Sequence, residues 1–325
     1  MTTTQIRPAA RTSVRRAAAL LTVGAVLAGS AVLAGAATAA RAETVNPILS
    51  DGSYYSADPA TLVDGDTLYV FAGRDEAGPT QNDFVMNEWQ TFSTTDVDSG
   101  VWQHTPDVMR PEEAFAWATP GRAYAGQAVT GADGRYYWYV PVAQRDPGSA
   151  DAFAIGVAVA DSPAGPWSDA IGAPLISQKI LGNDIQNIDP TILTDDDGRV
   201  YLYWGTFGQM RAVELDPGMT SLIGEPITVT GTDGFFEAPW IFKRGETYYL
   251  AYAANDVGPN CTEAVYHACI SYATSPGPMG PWSYAGRVLA PVSSTTSHPA
   301  ITEFDGRWYI VYHTADAVGG NHFRR

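Results

Sequence analysis

The chain has 325 residues, and its 35 acidic residues against 19 basic ones give a net charge of −16 at pH 7. This charge argues against nucleic acids and anionic membranes as partners, because both repel an acidic surface. It suits a soluble exported enzyme with a neutral substrate. The chain also carries 17 Tyr and 9 Trp, residues that favour β-strands and can stack on sugar rings.

Residues 1–42 are typical of an export signal. They contain five arginines, no acidic residue and an apolar run over 17–37 that is followed by small residues, as at a cleavage site. We therefore expect a secreted, extracellular protein whose folded domain covers residues 43–325. A membrane anchor is the alternative, and the pair Arg15-Arg16 leaves both the general and the twin-arginine export routes open.

Five copies of one strand–turn–strand unit follow the signal. Each unit has a short apolar strand, a tight turn such as Asp64-Gly65, and a strand rich in Tyr and Trp, which is the pattern of a β-hairpin. The units recur about every 50 to 70 residues, close to the length of a four-stranded propeller blade. This repeat predicts an all-β fold, a five-bladed β-propeller, whereas a β-sandwich, the alternative, would not repeat one hairpin five times. The units begin near Ser56, Tyr124, Ile188, Glu237 and His298.

The fifth unit has two predicted strands before the sequence stops at Arg325. A complete blade needs two more strands of about six residues each. We therefore expect a truncated last blade, to which the segment Val45–Leu49 contributes one strand that closes the ring.

Cys261 and Cys269 are the two cysteines of the chain. In an exported protein this pair predicts a structural disulfide. Two cysteines without further Cys or His partners make a poor zinc site.

Acidic residues stand at the start of the innermost strand in three units. Asp58 and Asp189 directly precede a proline, Glu237 stands two residues before one, and His298 takes this place in the fifth unit. Innermost strands of a propeller converge on a central channel, so these side chains should face one another. Buried acids are costly unless they are paired or used. Their recurrence favours function over the alternative that each Asp only caps a turn before Pro.

Three neighbouring carboxylates suffice for general acid–base hydrolysis of a glycosidic bond. One carboxyl donates a proton to the leaving oxygen, and a second activates water. A third raises the pKa of the acid by like-charge repulsion. The sequence has no G-x-S-x-G elbow and no glycine-rich phosphate loop, so neither a serine triad nor nucleotide chemistry is expected.

The three acidic motifs, one per unit and in this order, resemble those of glycoside hydrolase family 43, and the resemblance covers about residues 46–325. It implies that Asp58 is the general base, Glu237 the general acid, and Asp189 the modulator of the pKa of the acid. It also implies inversion of the anomeric centre, for which base and acid need a separation of roughly 6.5–9.5 Å. The motifs are Ser56-Ala57-Asp58-Pro59, Asn187-Ile188-Asp189-Pro190 and Phe235-Phe236-Glu237-Ala238-Pro239-Trp240.

The resemblance also implies a histidine near a central calcium ion, which would be His298, and a substrate-binding arginine in the last blade, which would be Arg324 or Arg325. Calcium prefers several oxygen ligands, so water would fill most of its shell. The alternative for His298 is a hydrogen bond across the channel. The expected chemistry requires no cofactor.

Side chains near the channel mouth are the predicted sugar-binding residues, since a flat ring with polar groups beside it is the usual form of a sugar subsite. Packing in the core is the alternative for each aromatic ring. These residues are Trp89, Trp117, Gln127, Phe207 and Trp240.

We expect a monomer that releases arabinose or xylose from arabinoxylan or arabinan, as an α-L-arabinofuranosidase or β-xylosidase. An endo-arabinanase shares the same three acids and remains an alternative. A β-fructosidase and a propeller that binds glycans without cutting them are further alternatives.

Overall fold

The computed structural model describes residues 46–49, 53–77, 84–180, 182–254, 261, 269–292 and 296–314, all within the compact unit Ala42–Arg325. The predicted export signal, Arg324 and Arg325 lie outside the described residues. Across the described ranges, no helix has both the length and the apolar character needed to cross a membrane.

The first two sheets each contain four antiparallel strands. The first sheet is formed by β1 (Ser56–Asp64), β2 (Thr67–Asp75), β3 (Met86–Thr94) and β4 (Gln103–Met109). A short helix, α1 (Pro111–Ala114), leads to the second sheet. That sheet is formed by β5 (Gln127–Thr130), β6 (Tyr136–Ala143), β7 (Phe153–Ala160) and β8 (Ser168–Asp169).

The next two sheets repeat this plan, and the fifth sheet has two strands among the described residues. The third sheet is formed by β9 (Thr191–Thr194), β10 (Val200–Trp204), β11 (Arg211–Leu215) and β12 (Leu222–Thr228). The fourth is formed by β13 (Phe235–Arg244), β14 (Thr247–Ala254), β15 (Cys269–Ser275) and β16 (Ser283–Leu289). The fifth is formed by β17 (Ala300–Phe304) and β18 (Arg307–Val311).

The first strands of the five sheets contact one another in chain order, and β17 also contacts β1. The core lies between neighbouring sheets, where the large rings of the second strands are buried. Trp138, for example, packs with Phe71 and Trp167 between the first two sheets, and Trp204 and Tyr203 are fully buried on the two faces of the third. The all-β propeller predicted from the hairpin repeat is confirmed, with four complete four-stranded blades in the described residues rather than five.

The prediction of a ring-closing strand at Val45–Leu49 is wrong for the residues described there, since 46–49 form no strand. Pro47 removes a backbone donor from this short segment, which disfavours pairing. Ile48 and Leu49 instead pack their side chains near Val70, Phe92 and Val311, between the first and fifth sheets.

The predicted disulfide is confirmed. Cys261 is bonded to Cys269, the first residue of β15, with 5.4 Å between their Cα atoms. Cys269 pairs with Ala254 at the end of β14. The bond therefore closes the connection between β14 and β15 at the end of the fourth sheet where β13 begins.

Candidate active site

The three predicted catalytic acids stand where the innermost strands begin, and the backbone there is unusual. Asp58, Asp189 and Ala238 each precede a proline and have φ angles of 59°, 56° and 57°. A left-handed residue before proline is rare, and its recurrence in three sheets marks a functional constraint. The pairing register shifts between Ala57 and Ala60 and on both sides of Glu237. Such bulges re-aim side chains at the rim of a sheet.

A cavity of about 20 Å³ lies where these strand ends meet. It has room for about one water molecule. Asp58 and Asp189 line it, together with Gln127, His298 and the prolines that follow the strand starts. Asp58 and Asp189 are buried, whereas Glu237 is half-buried. The predicted convergence therefore brings both aspartates to one cavity, with Glu237 directly before its lining residue Ala238.

The Glu237 side of the site is held by hydrogen bonds between the third and fourth sheets. Thr206 Oγ1 donates to Glu237 Oε2 over 2.8 Å, and the Ala238 N–H donates to Asp189 Oδ2 over 3.0 Å. Gly205 makes the turn before Thr206 with a φ of 139°, and a Cβ there would lie 2.1 Å from the Gln209 carbonyl oxygen. Only glycine fits this turn, so Gly205 sets the position of the Thr206 hydroxyl.

The Asp58 side of the site joins the first sheet to the fifth. The Asp58 N–H donates to His313 Nδ1 over 3.0 Å, and His298 Nε2 lies 3.4 Å from Asp58 Oδ1. The same His298 nitrogen lies 4.0 Å from Asp189 Oδ2. His298 thus lies close to the carboxylates of two blades. This is the position expected from its alternative role, a hydrogen bond across the channel.

Calcium at His298 is a further prediction that concerns this cavity. Within the described ranges, no group of three or more His, Cys, Asp or Glu side chains is placed to hold a metal ion. Calcium takes six to eight oxygen ligands. The cavity beside His298 offers about 20 Å³ and a lining rich in Ala, Gly and Pro. Calcium at His298 stays a prediction, and no catalytic step below depends on it.

The predicted sugar-binding side chains fall into two groups. Phe207 is 63% exposed, follows Thr206 in the chain, and lies edge-on to Phe236 with 5.7 Å between ring centroids. Its ring is therefore open to solvent close to Glu237.

The other predicted side chains make internal contacts. Trp89 and Trp240 are buried, and their indole N–H groups donate to the carbonyls of Tyr124 and Ile301. Trp117 is half-buried and donates to Asp169. Gln127 accepts hydrogen bonds from Thr191 and the Ile192 N–H. Sugar binding by these residues stays a prediction. The contacts that the structure shows for them join strands and sheets.

Thr206 and His313 are site residues that the sequence reasoning missed. Both stand just after the aromatic second strand of their unit, β10 and β18 respectively. A polar residue immediately after this strand is the signal that could have found them, because the second strand runs back toward the channel end of the sheet.

A propeller that gathers three acidic residues around the meeting point of its innermost strands has the parts of a glycosidase. A sequence profile of glycosyl hydrolases family 43 matches residues 44–325. The chain is 31% identical over 303 residues to a xylosidase/arabinosidase of Bacteroides ovatus, with 80% of this chain and 86% of that protein covered. It is 29% identical over 324 residues to xylosidase/arabinosidase 43A of Humicola insolens, with 83% and 91% covered.

A solved structure agrees in fold. It is a family 43 β-xylosidase/α-arabinofuranosidase from a compost microbial metagenome in complex with xylotriose, with a TM-score of 0.70, 27% identity, and 86% of this chain and 92% of that chain covered. The protein belongs to glycosyl hydrolase family 43. It is a glycosidase, as the sequence motifs predicted, and enzymes of this family need no cofactor for catalysis.

Proposed function

We propose that this protein is an inverting glycosidase that releases arabinose or xylose from arabinoxylan or arabinan. One observation carries the proposal: Thr206 holds the Glu237 carboxyl, and Asp189 accepts from the N–H of Ala238, the next residue in the chain, beside the cavity that Asp58 lines. Carboxyl groups with different surroundings can keep one group protonated and another ionised at the same pH, as hydrolysis of a glycosidic bond requires.

In the proposed reaction, Asp58 accepts a proton from the water that attacks the anomeric carbon. Glu237 gives a proton to the glycosidic oxygen as the bond to the anomeric carbon breaks. Thr206 donates to Oε2 of Glu237 and so helps to hold the carboxyl in place as it gives up its proton. Asp189 keeps Glu237 protonated by like-charge repulsion. Because water attacks opposite to the leaving group, the product has the inverted configuration.

The substrate class is supported by the exposed ring of Phe207 and by the relatives. Phe207 lies beside the acid, where a sugar adjoining the cleaved bond would stack. Relatives that align over more than four fifths of their length are called xylosidase/arabinosidase. The acidic net charge of the chain suits a neutral polysaccharide.

We also propose that the two-stranded sheet of β17 and β18 is the fifth blade of a five-bladed ring. The contacts of β17 with both β13 and β1 support this assignment. Export to an extracellular location is proposed from the basic, apolar and small-residue sequence at the N-terminus and suits the disulfide. A monomer is expected.

The test measures hydrolysis of nitrophenyl α-L-arabinofuranoside and nitrophenyl β-D-xyloside, and of arabinoxylan and linear arabinan, by the purified protein. Proton NMR of the first product reports the anomer that forms. The Glu237→Gln variant is the matched control, since it keeps side-chain size but has no proton to give.

The proposal expects release of arabinose or xylose with inversion, and a Glu237→Gln variant that binds oligosaccharide without cutting the polymers. Binding by the native protein with no hydrolysis of any substrate would instead identify a glycan-binding propeller. Retention of configuration would contradict the assignment of Asp58 as a base. Internal cleavage of linear arabinan would identify the endo-acting alternative.

A further inference from the structure

His313 occupies the seam between the fifth and first sheets, next to the proposed base. It follows β18 by two residues and is buried. Its ring makes two hydrogen bonds, one with the Asp58 N–H at Nδ1 over 3.0 Å and one with the Thr296 carbonyl at Nε2 over 2.6 Å. A third bond, from Ser297 Oγ to the His313 carbonyl, holds its backbone.

These partners fix the tautomer of the ring. A backbone N–H can only donate, so Nδ1 must carry a lone pair, and a carbonyl can only accept, so Nε2 must carry the hydrogen. His313 is therefore a neutral imidazole. A proton on Nδ1 would abolish the bond to Asp58.

The Asp58 N–H belongs to a residue whose backbone lies in the left-handed region. Such a conformation persists only where surrounding contacts hold it. The bond to His313 restrains this peptide group, and the peptide group in turn sets where the carboxylate points. His313 Nδ1 lies 3.6 Å from Asp58 Oδ1, so the ring also limits the position of the carboxylate itself.

We propose that His313 is a positioning residue for the general base: its neutral ring holds the backbone of Asp58 so that the carboxylate points to the attacking water. This inference rests on the proposed function, because it assigns Asp58 the role of base. Nothing in it requires His313 to touch substrate.

Two variants separate the two hydrogen bonds of the ring. The substitution His313→Asn places an amide oxygen close to the position of Nδ1, where it can accept from the Asp58 N–H. His313→Gln reaches toward Thr296 with its amide N–H but puts no acceptor at the Nδ1 position. Arg307→Gln is the structural control, since it removes an exposed ion pair with Asp98 at the other end of β18, away from Asp58.

We expect His313→Gln to lower kcat by roughly 10- to 100-fold, the effect of a misplaced reacting group, with KM nearly unchanged. The loss should be the same for nitrophenyl glycosides and for xylo- or arabino-oligosaccharides, because the base acts whatever the leaving group. His313→Asn should recover most of kcat. Arg307→Gln should leave both kcat and the melting temperature nearly unchanged, because exposed ion pairs contribute little.

A double-mutant test asks whether His313 acts through Asp58. In an Asp58→Asn background, His313→Gln should leave the residual rate unchanged, because the group that it positions is gone. Wild-type kcat in His313→Gln, equal losses in His313→Gln and His313→Asn, or additive losses in the double mutant would each overturn the proposal.

Measurements on the native enzyme cover the case in which a variant does not fold. ¹⁵N-histidine NMR should show His313 protonated at Nε2 alone, and a hydrogen on Nδ1 overturns the proposal. A native protein without hydrolytic activity would refute the proposed function, whereas an active enzyme indifferent to His313→Gln would refute only the positioning role.

Discussion

Glu237 and Asp58, the proposed acid and base, stand at two seams that are built differently. At the seam between the third and fourth sheets, hydrogen bonds run along the length of the contact. They join Thr206 to Glu237, Ala238 to Asp189 and Thr191 to Ile241. At its far end, Lys243 and Tyr248 bind the carboxylate of Asp195.

The seam between the fifth and first sheets is more open. A groove of about 730 Å³ runs beside it, lined by Ile48, Phe92, Trp102 and residues 309–314. It is much larger than the cavity at the centre of the propeller, and it takes in both His313 and Pro59. The Asp58–His313 bond crosses the seam at the edge of this groove.

This comparison indicates that the side chains of Glu237 and Asp58 are held in place to different degrees. Glu237 is bonded to Thr206 and lies among further hydrogen bonds between the third and fourth sheets, so loss of one bond should be partly compensated. Asp58 is held across the more open seam by its bond to His313, so its geometry should be more sensitive to single changes. The predictions below test this comparison from the largest expected effect to the smallest.

Removing the acid and removing the base should give different substrate profiles. We expect Glu237→Gln to lower kcat on oligosaccharides by about 10²- to 10⁴-fold but to lose much less with nitrophenyl leaving groups, which need little protonation. Asp58→Asn should lose a similar factor with both. Steady-state kinetics on matched substrates checks this, and identical profiles for the two variants would remove the distinction between acid and base.

Asp189→Asn should lower kcat by roughly 10- to 100-fold. The amide oxygen can still accept from the Ala238 N–H, so the change removes charge while keeping the bond. Loss of a nearby negative charge lowers the pKa of an acid. The alkaline limb of the pH profile, where Glu237 loses its proton, should therefore move to lower pH. An unmoved alkaline limb would mean that Asp189 acts by orientation alone.

Thr206→Val should lower kcat by about 10-fold, the effect of losing one hydrogen bond to a reacting group. The substitution keeps the shape of the side chain and removes its hydroxyl. Thr206→Ser keeps the hydroxyl and should stay near the wild-type rate. A Val variant with full activity would show that Asp189 and the backbone suffice to hold Glu237.

Asp195→Asn should destabilise the protein by about 1–3 kcal/mol and leave kcat unchanged, because Asp195 lies past the end of β9 opposite to Asp189. Burial raises the pKa of the Asp195 carboxyl, but hydrogen bonds from Lys243 and Tyr248 outweigh burial and bring it below the usual value. The ionised form is thus favoured in the folded state. Its contribution is present above the unfolded pKa of about 3.9 and is lost as the pH falls through the lower folded pKa.

Urea unfolding at neutral pH and below pH 4 measures this change. Asp197→Asn, in the same turn, is the matched control. Asp197 pairs with Arg199 on the surface, and such exposed pairs contribute little. Equal effects of the two substitutions at neutral pH would contradict the special role given to the buried carboxylate.

The sequence predicts the propeller well because its signals are local. Each hairpin carries its own turn residues and its own run of Tyr and Trp, and the first unit, predicted to begin near Ser56, starts with β1 at that residue. Asp58, Asp189 and Glu237 could be singled out because they recur at one position of the repeat. That recurrence needs no knowledge of the packing between sheets.

Contacts between sheets were beyond the reach of the sequence. Thr206 and Glu237 are 31 residues apart, and Asp58 and His313 are 255 apart, so no local pattern links them. The exposure of an aromatic ring depends equally on distant neighbours. Trp89 is covered by Trp138 from the next sheet, while Phe207 is left open. The strand predicted over Val45–Leu49 failed for another reason, since Pro47 cannot donate a backbone hydrogen bond.

The left-handed turns at Asp58, Asp189 and Ala238 also bear on how the protein could be improved. The free-energy cost of this strain, about 1–3 kcal/mol at each non-glycine residue, is offset when the chain folds. It therefore does not have to be offset again in each turnover. Thermostable variants obtained by relaxing these turns should therefore be slower enzymes. Engineering for heat resistance is better directed at positions that do not contact these three turns.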